Sequence, residues 1–110
     1  MVSHTIVEAL DPELPASLSP AVVRYLRQTM GFEGVIITDD LTMQAITNRY
    51  GAGEAAVTAV LAGCDLLCCS SFIEQYEAVL AAVLDGRIPY DTLKTSLRNV
   101  LEWKKELGLI

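Results

Sequence analysis

Apolar residues along this chain alternate between two spacings, and the switches mark out strands and helices in turn. Residues 1 to 7 (MVSHTIV) are biased toward β-branched side chains and run into a loop, Glu8 to Leu18, that holds Pro12 and Pro15. They read as a first strand. Ser19 followed by Pro20 starts a helix, with a capping hydroxyl and a proline at the first helical position, where its missing N–H costs nothing. Val22, Val23, Leu26 and Met30 then recur at helical spacing, and Gly31 is placed to end the helix. A second strand spans Gly34 to Thr38, followed by a helical or partly helical piece from Leu41 to about Tyr50 and a break at Gly51-Ala52-Gly53. Helix resumes at Glu54, with Val57, Val60 and Leu61 on one face, and closes at Gly63. The third strand runs from Asp65 to about Cys69, and Ser70 and Ser71 lead into a helix stopped by Gly86. Phe72, Ile73, Tyr76, Val79, Leu80, Val83 and Leu84 give that helix a broad apolar stripe of the kind that faces a core. A last helix begins near Tyr90, with Leu93, Leu97, Val100, Leu101 and Leu107 expected inward and Gly108 at its end.

The order is strand, helix, strand, helix, strand, helix, helix, in units of about 30 residues, the length of right-handed βαβ crossovers. That predicts an α/β fold with parallel strands. Three such strands cannot close a barrel, and a complete eight-stranded barrel needs about 250 residues. Residues 1–110, read as one partial domain, could therefore supply the C-terminal three βα units of an incomplete (β/α)8 TIM-type barrel and no more. Both sheet edges would stay unpaired.

Composition narrows the function. The chain has 110 residues, 52% of them hydrophobic, and a formal net charge of -6. Its basic residues are scattered, which argues against nucleic acid, because phosphate binding needs clustered Lys and Arg. No apolar run approaches the roughly 18 residues a membrane-spanning helix requires, so no membrane partner is expected. Cys64, Cys68 and Cys69 form no CxxC pair and the only histidine is His4, so buried, reduced thiols are expected, in keeping with a cytoplasmic setting. Export of a longer parent chain stays open.

Candidate chemistry concentrates where the second strand stops on Asp39 and Asp40. In a parallel sheet, the loops beyond the C-terminal strand ends are where side chains meet ligands. A carboxylate there can serve as nucleophile, general base, metal ligand or helix cap, and on pattern alone capping is as good a reading as any for either residue. Successive strand residues point to opposite faces, so only one of the pair can serve the loop. Magnesium would need further oxygen ligands at neighbouring strand ends, where Cys69, Ser70 and Ser71 stand instead, so no metal or other cofactor is expected. His4, in or just past the first strand, is either a hydrogen-bonded structural residue or a ligand contact on the same rim. Met43, four residues after Asp39, could line the same cleft, although core packing is the commoner role.

The segment GFEGVIITDDLTMQAI resembles the nucleophile strand of family 3 glycoside hydrolases, and its Asp-Asp-Leu-Thr-Met run is closest to their bacterial β-N-acetylglucosaminidase (β-N-acetylhexosaminidase) branch. MVSHT is similar to the preceding barrel strand of that family, LSPAVVRYLRQTMGFEG to the helix and turn between, AGCDLLCC to the last strand, and LRNVLEWKKELGLI to the terminal helix. By that resemblance Asp39 matches the catalytic nucleophile, which would form a covalent glycosyl-enzyme intermediate hydrolysed with retention. Asp40 becomes a supporting or capping neighbour, and His4 falls near the sugar subsite. The resembled enzymes carry a general acid/base histidine on a loop well upstream, with a Lys-His motif and an Asp that bind the sugar, and the chain has no counterpart.

Two expectations follow. The first is a piece of a retaining β-N-acetylhexosaminidase acting on terminal β-linked N-acetylglucosamine, inactive alone, which an upstream chain could complete. The second is a small stand-alone α/β ligand-binding module, non-catalytic, whose apolar flank is covered by self-association.

Overall fold

The computed structural model describes residues 1–110. Its architecture is α/β. Three extended segments, centred on Val2, Ile37 and Leu66, lie side by side in chain order and are joined by parallel bridges between Val2 and Thr38 and between Ile37 and Leu66. Val2 N–H donates to Ile37 O (2.8 Å) and Val2 O accepts from Asp39 N–H (2.9 Å), while Thr38 N–H donates to Leu66 O (3.1 Å). The expected strands are thereby corrected: each segment contributes isolated bridges rather than a continuous ladder. The cause is visible at Cys68, whose N–H finds the Thr38 hydroxyl at 3.1 Å in place of a main-chain carbonyl, so the ladder ends.

Five α-helices follow: α1 (Pro20–Arg24), α2 (Gln44–Thr47), α3 (Ala52–Ala62), α4 (Phe72–Leu84) and α5 (Tyr90–Glu106). Ser19 caps α1 as its sequence implies, accepting from Val22 N–H at 3.2 Å, and Asp11 in turn accepts the Ser19 hydroxyl proton at 2.6 Å. The turn after α1, Tyr25–Thr29, widens into a π-helix. The Leu41-to-Tyr50 expectation shrinks to the four residues of α2, because residues 40–43 are held in a turn described below. α3 starts within the glycine-flanked break rather than after it and ends on Gly63, whose φ of 104° only glycine adopts freely. Gly53 lets α4 approach closely: a Cβ there would lie 2.8 Å from that of Ala78.

Core residues come from the face of the extended segments that the helices cover. Val23, Ile36, Ala62 and Cys64 form one cluster with Val2 against it, and Leu18, Leu41, Ile46, Ala55, Ala56 and Ala59 form another. The two C-terminal helices follow their patterns only in part. α4 buries Gln75 and Ala82 and packs Val79 and Val83 against the core cluster of Val57, Val60 and Ile88, while Phe72, Ile73, Tyr76, Leu80 and Leu84 are exposed. α5 buries no residue at all, and its expected inward leucines lie outside. With only α3 to pack upon, α4 uses its small-residue face for close contact.

What holds α5 is polar. Asp65, its side chain 2% exposed, accepts from Arg27 Nη2 (2.6 Å), Ile36 N–H (2.8 Å) and Asn99 Nδ2 (2.9 Å). Arg27 also donates to the carbonyls of Phe32 and Gly34 and lies over the Phe32 ring. One carboxylate thus joins the π-turn, the second extended segment and α5. Replacing it orphans a buried N–H and strips Arg27 of its counter-charge, so Asp65→Ala is expected to cost about 3 kcal/mol of stability, read as a lowered urea midpoint. An Arg27→Ala/Asp65→Ala double variant should lose less than the sum of the single changes.

Candidate functional site

Asp39 ends the second extended segment. Ile36 faces the helices with Val2, so alternation turns Ile37 and Asp39 to the opposite face, from which no core cluster draws a member. The Asp39 carboxylate is partly exposed there, and its Oδ1 accepts the N–H of Asp40 at 2.8 Å. Its backbone N–H is held by Val2 O. Segment register and one local hydrogen bond therefore set where this carboxylate points.

Asp40 turns the other way and is tied on every side. Its Oδ1 accepts from Thr42 N–H (2.9 Å) and the Thr42 hydroxyl (2.6 Å), closing an Asx-type turn, and its Oδ2 accepts from the Ser70 hydroxyl after the third segment. These bonds, the Ser70 hydroxyl foremost, pull its pKa from 3.8 down to about 2. The Asp40 carbonyl accepts from Met43 N–H at 3.1 Å and from His4 Nε2 at 2.7 Å. A carbonyl can only accept, so Nε2 donates to it, and Nδ1 shares a hydrogen bond with the buried Ser17 hydroxyl, 2.7 Å away. Ser17 O receives the Cys64 thiol at 3.6 Å.

The structure brings His4, Asp39 and Asp40 together on one rim. His4 commits both ring nitrogens to the chain itself and reaches the rim through the Asp40 carbonyl. Met43 is 46% exposed and precedes α2, which corrects the core-packing reading of it. Of the cysteines, Cys64 is buried, and burial pushes its thiol to about 12. Cys68 and Cys69 are only partly buried, against expectation, and all three are unpaired. No three His, Cys, Asp or Glu side chains converge as metal ligands. A crevice of about 420 Å³ lies at the other pole, beside Arg27, Asp65 and Asn99. Sequence reasoning missed the Ser17 and Ser70 contacts, since both join residues far apart in the chain. The Asp40-x-Thr42 spacing was a readable turn signal.

Comparison with known proteins agrees along the chain. Residues 1–103 match the glycosyl hydrolase family 3 N terminal domain. A beta-hexosaminidase of Thioalkalivibrio sulfidiphilus is 40% identical over 90 residues, covering 81% of this chain and 26% of that protein. Beta-hexosaminidase LpqI of Mycobacterium tuberculosis is 33% identical over 116 residues, covering 94% of this chain and 29% of its own length. The solved glycoside hydrolase family 3 beta-N-acetylglucosaminidase of Paenibacillus sp. superposes with a TM-score of 0.85 at 40% identity, over 93% of this chain and 20% of that one. The chain thus spans about a quarter of the length of these two curated relatives.

Asp40 holds its proton more weakly when folded than when unfolded. Its contribution to stability is therefore complete above the unfolded value near 3.8 and is lost as pH falls through about 2. A carboxyl carbon NMR titration should give Asp40 a midpoint of about 2. Ser70→Ala should move that midpoint upward.

Proposed function

The chain belongs to the glycosyl hydrolase family 3 N-terminal domain family, and from that footing we propose that it forms the last three βα units of a (β/α)8 catalytic barrel and carries the nucleophile of a retaining β-N-acetylhexosaminidase. The observation that carries this reading is Asp39: a carboxylate at the end of a bridged segment, on the face free of helices, aimed by the Asp40 N–H. Its free oxygen attacks the anomeric carbon of a terminal β-linked N-acetylglucosaminide, and the aglycone leaves with the bonding electrons. Water then cleaves the glycosyl ester with net retention.

Asp40, His4 and Ser17 form the support for that carboxylate. Because His4 uses both nitrogens internally, its part in the sugar subsite runs through the Asp40 carbonyl, and exposed Met43 borders the approach. The same commitment leaves these 110 residues without a free imidazole to protonate the leaving group. A retaining glycosidase needs a second group about 5 Å from the nucleophile, so the chain alone is inactive. An upstream barrel chain would supply it by docking along the third segment, where Leu67 and Cys69 N–H groups meet no backbone partner. A reducing, cytoplasmic setting is part of this proposal and is in keeping with three unpaired thiols; no helix is long and apolar enough to cross a membrane.

A graft tests the assignment. This chain should be exchanged for the matching part of LpqI and the hybrid assayed with a chromogenic β-N-acetylglucosaminide. The hybrid is expected to turn over with retention while the isolated chain shows none. Asp39→Asn in the hybrid should lower kcat by about 1,000-fold or more, and Asp40→Asn by less. An Asp39→Asn hybrid as active as its parent refutes the nucleophile.

A further inference from the structure

Asp39 shares the open face of the extended segments with a second side chain that has chemistry of its own. Leu67 packs against all three core clusters, so it faces the helices. Alternation then turns Leu66 and Cys68 to the open face, with Ile37 and Asp39. The parallel bridge pairs Ile37 with Leu66, and two residues further along each segment the same register sets Asp39 beside Cys68. The Cys68 main chain is held on both sides, its N–H by the Thr38 hydroxyl (3.1 Å) and its carbonyl by Leu41 N–H (3.0 Å).

The three thiols differ in what they touch. Cys64 is buried and donates to Ser17 O at 3.6 Å, and Cys69, on the helix side, donates to Leu67 O at 3.9 Å. The partly exposed Cys68 thiol has no hydrogen-bond partner in the chain. It stands unengaged next to a carboxylate that keeps one oxygen free. Adjacent segments of this chain set that placement, so upstream barrel units enclose the pair and cannot separate it.

We propose that Cys68 is a specificity-determining residue of the Asp39 site: it bounds the sugar subsite on the side of the third segment, and the small bulk of its side chain sets the room the glycoside has there. This rests on the reading of Asp39 as the nucleophile. A group attached to the Cys68 sulfur then fills the space the sugar needs and stops turnover while the carboxylate itself stays unaltered.

Two methanethiosulfonate reagents of opposite charge test the placement on the purified chain. The thiolate attacks the sulfenyl sulfur, a disulfide forms, methanesulfinate leaves and the thiol proton goes to water. Peptide mapping after brief labelling should find Cys68 modified ahead of Cys69 and Cys64. The trimethylammonium-ethyl reagent should react faster there than the sulfonatoethyl one. Asp39→Asn should shrink that preference severalfold, while Asp91→Asn, at the other pole, should not. In the LpqI hybrid, the trimethylammonium-ethyl adduct should lower kcat/KM by about tenfold or more. Dithiothreitol should restore the rate, and a Cys68→Ala hybrid should be indifferent to the reagent. Another cysteine labelled first, or a charge preference that survives Asp39→Asn, overturns the placement. A hybrid that depends on Asp39 yet turns over equally well with the adduct overturns the subsite role and leaves the nucleophile standing. Activity that survives Asp39→Asn sinks the nucleophile, and the subsite role with it.

Discussion

Parallel hydrogen bonding between three short extended segments decides where this chain can do chemistry. Val2, Ile37, Thr38 and Leu66 share few main-chain bonds, yet those bonds fix register, and register fixes which side chains reach the rim together. A slip of one residue in the second segment would send Asp39 among the helices and bring Thr38 to the open face. The buried Thr38 resists that slip, since its hydroxyl already holds Cys68 N–H.

Two polar constructions brace this thin frame at opposite ends. At the rim, the Asp40 carboxylate joins the turn before α2 to Ser70, and its carbonyl receives His4. At the other pole, Asp65 gathers Arg27, Asn99 and the Ile36 N–H. Each carboxylate links stretches of chain roughly 30 or more residues apart, a service apolar contacts between such short segments could not supply with the same directionality. The rim is the polar end that also leaves one carboxylate oxygen, on Asp39, without a bond inside the chain. A group so placed is oriented yet available.

Helix positions were legible because their signals are local. Ser19-Pro20, Gly63 and the periodic residues of α4 and α5 placed the elements closely, and the acidic end of the second segment stood out as a change from apolar to charged. What the pattern could not convey was which face each late helix buries. Periodicity in α4 and α5 shows that an apolar row exists, but Gly53 opposite Ala78, and Asn99 reaching Asp65, turn those rows outward. The reach of His4 to Ser17 and of Ser70 to Asp40 was hidden for the same reason: each depends on register across segments. Continuous strands were overestimated, because β-branched composition records preference and a ladder also needs a partner at every step.

The central claim is that Asp39, and not its neighbour, bonds to sugar. Mass mapping of the LpqI hybrid after reaction with a fluorinated, activated N-acetylglucosaminyl donor, which forms the glycosyl ester but hydrolyses it slowly, puts this most directly. The account predicts a single adduct on the peptide containing the second segment, with fragmentation assigning it to Asp39. An adduct on Asp40, or turnover with inversion and no adduct, would contradict it.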